Sequence, residues 1–244
     1  MKQYGLIGYP LGHSFSKDYF NQKFVRESIT AHYENFEIPN IHALSEILQN
    51  NPNLQGFNVT IPYKQQIIPL LDALDPTAED IGAVNTVTMQ QGKLTGYNTD
   101  VIGFTESLSP LLQPIHTKAL ILGTGGASKA VAYGLTALSI PYTYVSRQAS
   151  SNYIAYADVT PELLADYQII INTTPLGTHP QVDTCPPIPY SALTHTHLLY
   201  DLVYNPTQTL FLKKGREAGA TIKNGYEMLI RQAEAAYHIW TASR

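Results

Sequence analysis

Four groups of residues in this chain have the types and spacing to do chemistry. The first is Gly123-Thr124-Gly125-Gly126-Ala127-Ser128, which follows the apolar run Ala119-Leu120-Ile121-Leu122 and opens a helix of small residues ending near Leu138. A turn without Cβ atoms at a helix N-terminus lets a diphosphate approach free N–H groups and the positive end of the helix dipole. The match to G-x-G-x-x-G is Gly123, Gly125 and then Ser128, and a tight strand-to-helix turn without a ligand has the same pattern. The second group is Asn58, Thr60 and Lys64, polar residues at and just beyond the end of an apolar strand. The third is Asn85-Thr86, answered after a hairpin by Asn98-Thr99-Asp100. The fourth is Ser14 and Ser16 in the stretch Gly8 to Ser16, just before a helix, where hydroxyls either cap the helix or donate to an anion. Taken singly, Lys64 also fits a surface lysine, and the two Asn-Thr pairs also fit turn formers.

The residue type beyond the second strand of a dinucleotide fold selects the cofactor. An acidic residue about 20 positions after the first glycine binds the ribose 2′-hydroxyl of NAD, whereas an arginine accommodates the 2′-phosphate of NADP. Here the strand Tyr142-Thr143-Tyr144-Val145 is followed by Ser146-Arg147-Gln148, and no Asp or Glu occurs until Asp158. Arg147 is the only Lys or Arg between Lys129 and Lys213. A guanidinium there can grip a phosphate in bidentate fashion or stack on adenine, and an exposed solubilising arginine has the same pattern; NADP is expected over NAD.

The elements that would position these groups are legible in outline. The expected order in the first half is strand 4–8, helix 16–26, strand 32–38, helix 41–48, strand 56–60, a helix from about Tyr63, a hairpin over 83–97 and a helix over 101–112. The second half reads as a doubly wound series: strands at 118–122, 142–146, 169–171, 198–203 and 221–222, with helices at 127–138, from Pro161, at 207–218 and from Gly225. A length of 244 residues fits one large or two modest domains. The glycine turn lies past residue 100, so the preceding half holds something other than the dinucleotide fold.

Composition sets bounds. Apolar residues make up 44% of the chain and charged residues 14%, with a net charge of −4. No basic stripe suggests nucleic acid and no run of about 18 apolar residues suggests a membrane span. Met1 to Leu6 reads as the start of a strand, not a signal peptide. Cys185 is the single cysteine and the eight His lack metal-ligand spacing, so no disulfide or metal site is expected. These features point to a soluble cytoplasmic α/β protein and no further.

Along its whole length the chain resembles the shikimate dehydrogenases. The resemblance is carried by Asn58-Val59-Thr60 with Pro62 and Lys64, Gly82-Ala83-Val84-Asn85-Thr86, Asn98-Thr99-Asp100 and the Gly123 to Ala127 turn. It continues through Asn172-Thr173-Thr174-Pro175-Leu176-Gly177, Asp201-Leu202-Val203-Tyr204-Asn205-Pro206 with Thr209, and Gly225-Tyr226-Glu227-Met228-Leu229 with Gln232. It implies an α/β protein of two domains: a substrate-binding domain over residues 1–101, completed by a returning C-terminal helix at 225–244, and a Rossmann-like NADP-binding domain over 102–224. The implied reaction is the reversible, NADPH-dependent reduction of 3-dehydroshikimate to shikimate.

Carried over by motif, Lys64 is the acid/base, paired with Asp100, and Ser14 and Ser16 hold the substrate carboxylate. Thr60, Asn85, Asp100 and Gln232 bind the ring hydroxyls and carbonyl region, with Tyr204 near the carboxylate and nicotinamide. The implied cofactor contacts are Gly123, Thr124, Gly125, Gly126, Ala127, Ser146, Arg147, Thr173, Thr174, Pro175, Gly225 and Met228. The chain departs from the family at Lys17 and Phe20, where the family has Pro and His, and at Ser146 and Gln148, where it often has Asn and Thr. Lys17 either adds charge beside the carboxylate site or points to solvent. The stretch from Arg147 to Ile169 is short, which implies a trimmed helix. Quinate as substrate, relaxed cofactor use, a silent NADP-binding regulator, and a monomer or homodimer all remain open at this level.

Overall fold

The computed structural model describes residues 1–12 and 14–242; His13, inside the Gly8 to Ser16 stretch, lies outside the described residues. The chain divides into two compact units, Met1–Thr99 with the segment from Ala233 onward, and Asp100–Gln232. Residues 225–232, expected with the first domain, group with the second.

The first unit contains β1 (Lys2–Gly8), α1 (Phe15–Arg26), β2 (Ala31–Glu37), α2 (Leu44–Asn50), β3 (Leu54–Val59), β4 (Ala73–Leu74), α3 (Pro76–Ile81), β5 (Thr86–Gln90) and β6 (Lys93–Tyr97). Its six strands form one mixed sheet in the order β2-β1-β3-β5-β6-β4. Strands β2, β1 and β3 run parallel, and β5 pairs antiparallel with both β3 and β6. Gln91 and Gly92, both at positive φ, make the hairpin turn. Alternation along β1 sends Tyr4 and Leu6 into one core and Ile7 into the other.

The segment from Ala233 belongs to the last helix, α8 (Tyr226–Ala242), and seals the Tyr4 face. Trp240 stacks on Tyr4 at 4.7 Å between ring centroids, and its Nε1 donates to the Val87 carbonyl at 3.0 Å. Gly56 is required beneath it, since a Cβ there would lie 2.4 Å from the indole.

One expectation for this unit is corrected. No α-helix starts at Tyr63. Residues 61–67 form consecutive turns, followed by a short 3-10 segment at Ile68–Leu70. The Lys64 carbonyl, which would accept from Ile68 in a helix, accepts instead from the Val84 N–H at 2.7 Å. The helix lies later, at α3. Asp75 caps it, Pro76 occupies its first turn and Gly82 ends it at φ 66°, an N-cap, proline and glycine signature that was readable.

The second unit contains α4 (Asp100–Leu108), β7 (Ala119–Leu122), α5 (Gly126–Ala137), β8 (Tyr142–Ser146), β9 (Tyr153–Ala155), α6 (Pro161–Asp166), β10 (Ile169–Asn172), β11 (Leu198–Asp201), α7 (Leu210–Glu217), β12 (Thr221–Lys223) and the start of α8. Its six strands are all parallel in the order β12-β11-β10-β7-β8-β9. This is the doubly wound Rossmann order, with the reversal of direction between β7 and β10. Strands β7, β10 and β11 are buried along their whole length, as a sheet covered on both faces requires. Residues 225–232 group here because Met228 sits in this core, Gly103 packs against the Met228 carbonyl and Gln232, and Arg231 pairs with Glu106 at 2.9 Å.

The trimmed helix expected between Arg147 and Ile169 is the six-residue α6, and no helix joins β8 to β9. Parallel strands normally need a crossover of a dozen or more residues. Here β8 and β9 pair parallel across the six-residue link 147–152. A tyrosine tier stands on the α5 side of these strands. The Tyr142–Tyr144 and Tyr144–Tyr153 rings meet edge to face at 5.5 Å, and the Tyr144 hydroxyl donates to the Ser128 carbonyl of α5.

Candidate active site

In the second unit, a cavity of about 880 Å³ opens at the carboxyl ends of β7, β8 and β10. Its wall contains Gly123, Thr124, Gly125, Ser146, Arg147, Gln148, Tyr156, Thr173, Thr174, Pro175 and Leu176. This is the topological switch point, where open parallel sheets bind ligands. Gly123 turns at φ +107°, and a Cβ there would lie 2.8 Å from Thr174 and 2.9 Å from Thr173. A Cβ on Gly125 or Gly126 would meet no atom within 4 Å, which leaves room for a diphosphate over the backbone. Gly125 is the N-cap of α5 and no side chain caps that helix, so its first-turn N–H groups suit an anion. Ser128, the departure from the third glycine, is buried and its hydroxyl donates to the Gly125 carbonyl at 2.7 Å.

Arg147 is exposed in the cavity wall. The Ser146 hydroxyl shapes its turn, donating to the Gln148 carbonyl at 2.6 Å and accepting from the Gln148 N–H. The first acidic residue after β8, Asp158, accepts instead from the Ala155 N–H at 2.9 Å, and no carboxylate lines the cavity among the described residues. An arginine without a carboxylate fits a 2′-phosphate and not a bare ribose hydroxyl. The opposite wall is tied down: the Thr173 hydroxyl donates to the Leu122 carbonyl at 2.8 Å, and Thr174 donates to Asn172 Oδ1 through both N–H and hydroxyl.

Eight of the expected cofactor residues therefore line one cavity. Gly126 and Ala127 instead form the first turn of α5. Gly225 and Met228 stand outside the wall. A Cβ on Gly225 would strike the Leu202 carbonyl at 2.1 Å, and Met228 is 7% exposed in the hydrophobic core. Tyr156 and Leu176 are wall residues that the sequence reading missed. Tyr156 follows β9, a three-residue strand with no periodic signal. Burial pushes its phenol up to about 12, and its hydroxyl has no hydrogen-bond partner. Also in this unit are Asp100, buried in the first turn of α4, Tyr204, partly exposed, and Gln232, buried with its amide donating to the Leu229 carbonyl.

In the first unit, Tyr33, Asn58, Thr86, Asn85 and Thr99 form one buried hydrogen-bonded chain. Tyr33 Oη donates to Asn58 Oδ1 at 2.8 Å and has the Ser16 hydroxyl as its other polar neighbour. Asn58 Nδ2 donates to Thr86 Oγ1 at 3.0 Å, and Thr86 Oγ1 donates to Asn85 Oδ1 at 3.2 Å. Asn85 Oδ1 also accepts from the Thr99 N–H at 2.7 Å. Lys64 is half-buried beyond β3. Its neighbour Tyr63 donates to the Ile38 carbonyl at 2.5 Å, so the turn that carries the lysine is held at Tyr63, Ile67 and the Lys64 carbonyl itself. Thr60 continues from β3, its N–H donating to the Ile7 carbonyl at 2.9 Å. Ser14 is the N-cap of α1, accepting from the Lys17 N–H at 3.3 Å.

The two departures on α1 have physical accounts. Lys17 pairs with Glu34 at 3.3 Å, so its charge is engaged across to β2. Phe20 is fully buried and stacks on Tyr33 at 4.8 Å, bracing the ring whose hydroxyl serves Asn58. Replacing Tyr33 with Phe removes the donor to a buried amide oxygen, which costs about 1–3 kcal/mol. Urea denaturation checks this, and a change under about 0.5 kcal/mol would show that Asn58 needs no such donor.

The all-parallel sheet with a glycine turn, an arginine and an uncapped helix at its switch point defines a dinucleotide-binding α/β protein. A family model described as the shikimate dehydrogenase substrate binding domain matches residues 6–87. The shikimate dehydrogenase (NADP(+)) of Caldanaerobacter subterraneus is 36% identical over 98% of this chain and 91% of its own length. The crystal structure of shikimate dehydrogenase from Aquifex aeolicus aligns with a TM-score of 0.88 at 34% identity, covering 99% of this chain and 93% of the other. That of the Thermus thermophilus enzyme in complex with NADP(H) and shikimate aligns with a TM-score of 0.88 at 30% identity, covering 99% and 94%. The chain belongs to the shikimate dehydrogenase family.

Proposed function

We propose that this protein catalyses the reversible, NADPH-dependent reduction of 3-dehydroshikimate to shikimate, a step towards aromatic amino acids. The observation that carries this reading is the cavity at the β7–β10 switch point, whose glycine turn and Arg147 suit NADP, in a chain related over its full length to NADP-dependent shikimate dehydrogenases. Gly123 to Ala127 would hold the diphosphate, Arg147 with Ser146 the 2′-phosphate, and Thr173 to Pro175 the wall beside the dinucleotide. Gly225 would act by letting the chain pass close to Leu202, and Met228 by packing beneath. Bound there, NADPH supplies the hydride.

The reacting ketone gains negative charge on oxygen. In this reading the Lys64 ammonium stabilises that charge and delivers the proton. Asp100 orients the ammonium. Thr60, Asn85 and Gln232 bind ring hydroxyls, Ser14 and Ser16 the carboxylate, and Tyr204 the region nearby. A polyol suits such neutral donors and acceptors, because a missing hydroxyl leaves them unpaired, a discrimination of about 10⁴ or more. Ser16→Ala should raise KM for shikimate with kcat nearly unchanged, as expected for binding shared by ground and transition states. Ser14→Ala should do the same and also lower stability by about 1 kcal/mol, since Ser14 caps α1. A fall in kcat at unchanged KM in either variant would remove that serine from carboxylate binding.

The reading places the enzyme in the cytoplasm as a monomer or homodimer, with no nucleic acid or membrane partner. Among the described residues, no helix is long and apolar enough to cross a membrane and no group of His, Cys, Asp and Glu is placed to hold a metal. Incubation with 3-dehydroshikimate and NADPH tests the reaction: absorbance at 340 nm should fall while proton NMR shows shikimate accumulating in equal amount. No shikimate, or shikimate without NADPH loss, overturns the proposal.

A further inference from the structure

We propose that Asp201 is a positioning residue that sets the NADP-side and substrate-side loops of the second unit together. It ends β11, is fully buried, and is not among the residues of the cavity wall. Its carboxylate accepts three hydrogen bonds from three directions. Oδ1 accepts from Asn172 Nδ2 at 2.9 Å and from the Val203 N–H at 3.0 Å, and Oδ2 accepts from the Thr209 hydroxyl at 2.5 Å.

Each partner leads to a functional segment. Asn172 Oδ1 in turn accepts from the Thr174 N–H and hydroxyl, so Asp201 holds, through one amide, the loop whose Thr173 to Leu176 stretch lines the cavity. Val203 precedes Tyr204, and its carbonyl accepts from the Gly225 N–H at 3.2 Å. Thr209 caps α7 through the Leu212 N–H, which anchors the far end of the Tyr204 segment. A single buried carboxylate is thus the common acceptor for the segments 172–176 and 203–209.

The site is unfavourable for a merely structural residue. Burial pushes the Asp201 carboxyl up to about 6 despite its three donors. A folded value above the unfolded one means that the fold is favoured while the group is protonated, and that this advantage is lost as pH rises through about 6. At neutral pH the ionised group therefore subtracts from stability. Charge-assisted bonds are roughly twice as strong as neutral ones, so the charge stiffens the loops.

The test compares Asp201→Asn, Thr209→Val and Thr209→Ser with the wild type at pH 7.5, reading Tm and the kinetic constants for NADP and shikimate. The inference rests on the proposed reaction, which the wild-type assay checks by itself: no turnover there fails that reading, not this one. In a folded Asp201→Asn enzyme, KM for NADP and KM for shikimate should both rise, by about 10-fold, the worth of one charge-assisted bond. Thr209→Val should move both KM values in the same direction, and Thr209→Ser should restore them. Wild-type KM values in a folded Asp201→Asn enzyme, or a fall in Tm and active fraction with both KM values unchanged, would overturn the proposal. Should Asp201→Asn fail to fold, unequal effects of Thr209→Val and Thr209→Ser on KM still support it, and equal effects refute it.

Discussion

Lys64→Ala lowers kcat by roughly 10²–10⁴, the usual size of the loss when a positioned acid/base is removed. The lysine is set by its backbone as much as by its side chain. Tyr63 and Ile67 are buried on either side, and the Lys64 carbonyl is tied to Val84 on the approach to β5. An alanine there keeps these anchors, so the fold and the polar chain from Tyr33 to Thr99 should be undisturbed. Under the proposed role, the ammonium that would meet the developing oxyanion is lost. KM for shikimate should therefore change by less than about threefold while kcat falls, the split expected when an interaction operates in the transition state. Steady-state kinetics with the circular dichroism spectrum as control make the check. Turnover within about tenfold of wild type would remove Lys64 from the proton path.

Arg147→Ala should weaken NADP binding by about 10–100-fold, corresponding to one or two charge-assisted bonds to a phosphate, while binding of NAD shifts little. Among the described residues Arg147 is the one Lys or Arg in the cavity wall, and Ser146 holds its turn. No carboxylate in that wall offers a partner for the ribose hydroxyl of NAD. Isothermal titration with both cofactors separates the cases. Equal losses for NADP and NAD would mean that Arg147 stacks on adenine or shapes the loop, and that phosphate recognition lies elsewhere.

How far each part could be read from the residues follows from the range of the forces that shape it. The second unit was legible because each of its buried strands is a short apolar run next to a helix or a glycine turn, and Gly123 and Arg147 lie at fixed offsets from strand ends. The β8–β9 link was not legible, because Tyr153–Ala155 is too short to show a period and its pairing depends on a turn at Ser150. In the first unit, the turns around Lys64 are helix-like in composition. A long-range bond from Val84 decides against the helix, and no local window contains it. The α3 signature Asp75-Pro76 to Gly82 was present in the residues and unread. The candidate site divides in the same way. Residues at strand ends were readable as clusters, whereas the Tyr33–Asn58–Thr86–Asn85 chain depends on sheet register, which joins β2, β3 and β5.

The central claim is that the chemistry joins shikimate to NADP in particular. The most direct measurement is kcat/KM at 340 nm for the four pairings of shikimate or quinate with NADP or NAD. Shikimate with NADP should be the fastest, with quinate and NAD each lowering the value. A value for quinate or for NAD equal to or above that of shikimate with NADP would contradict it.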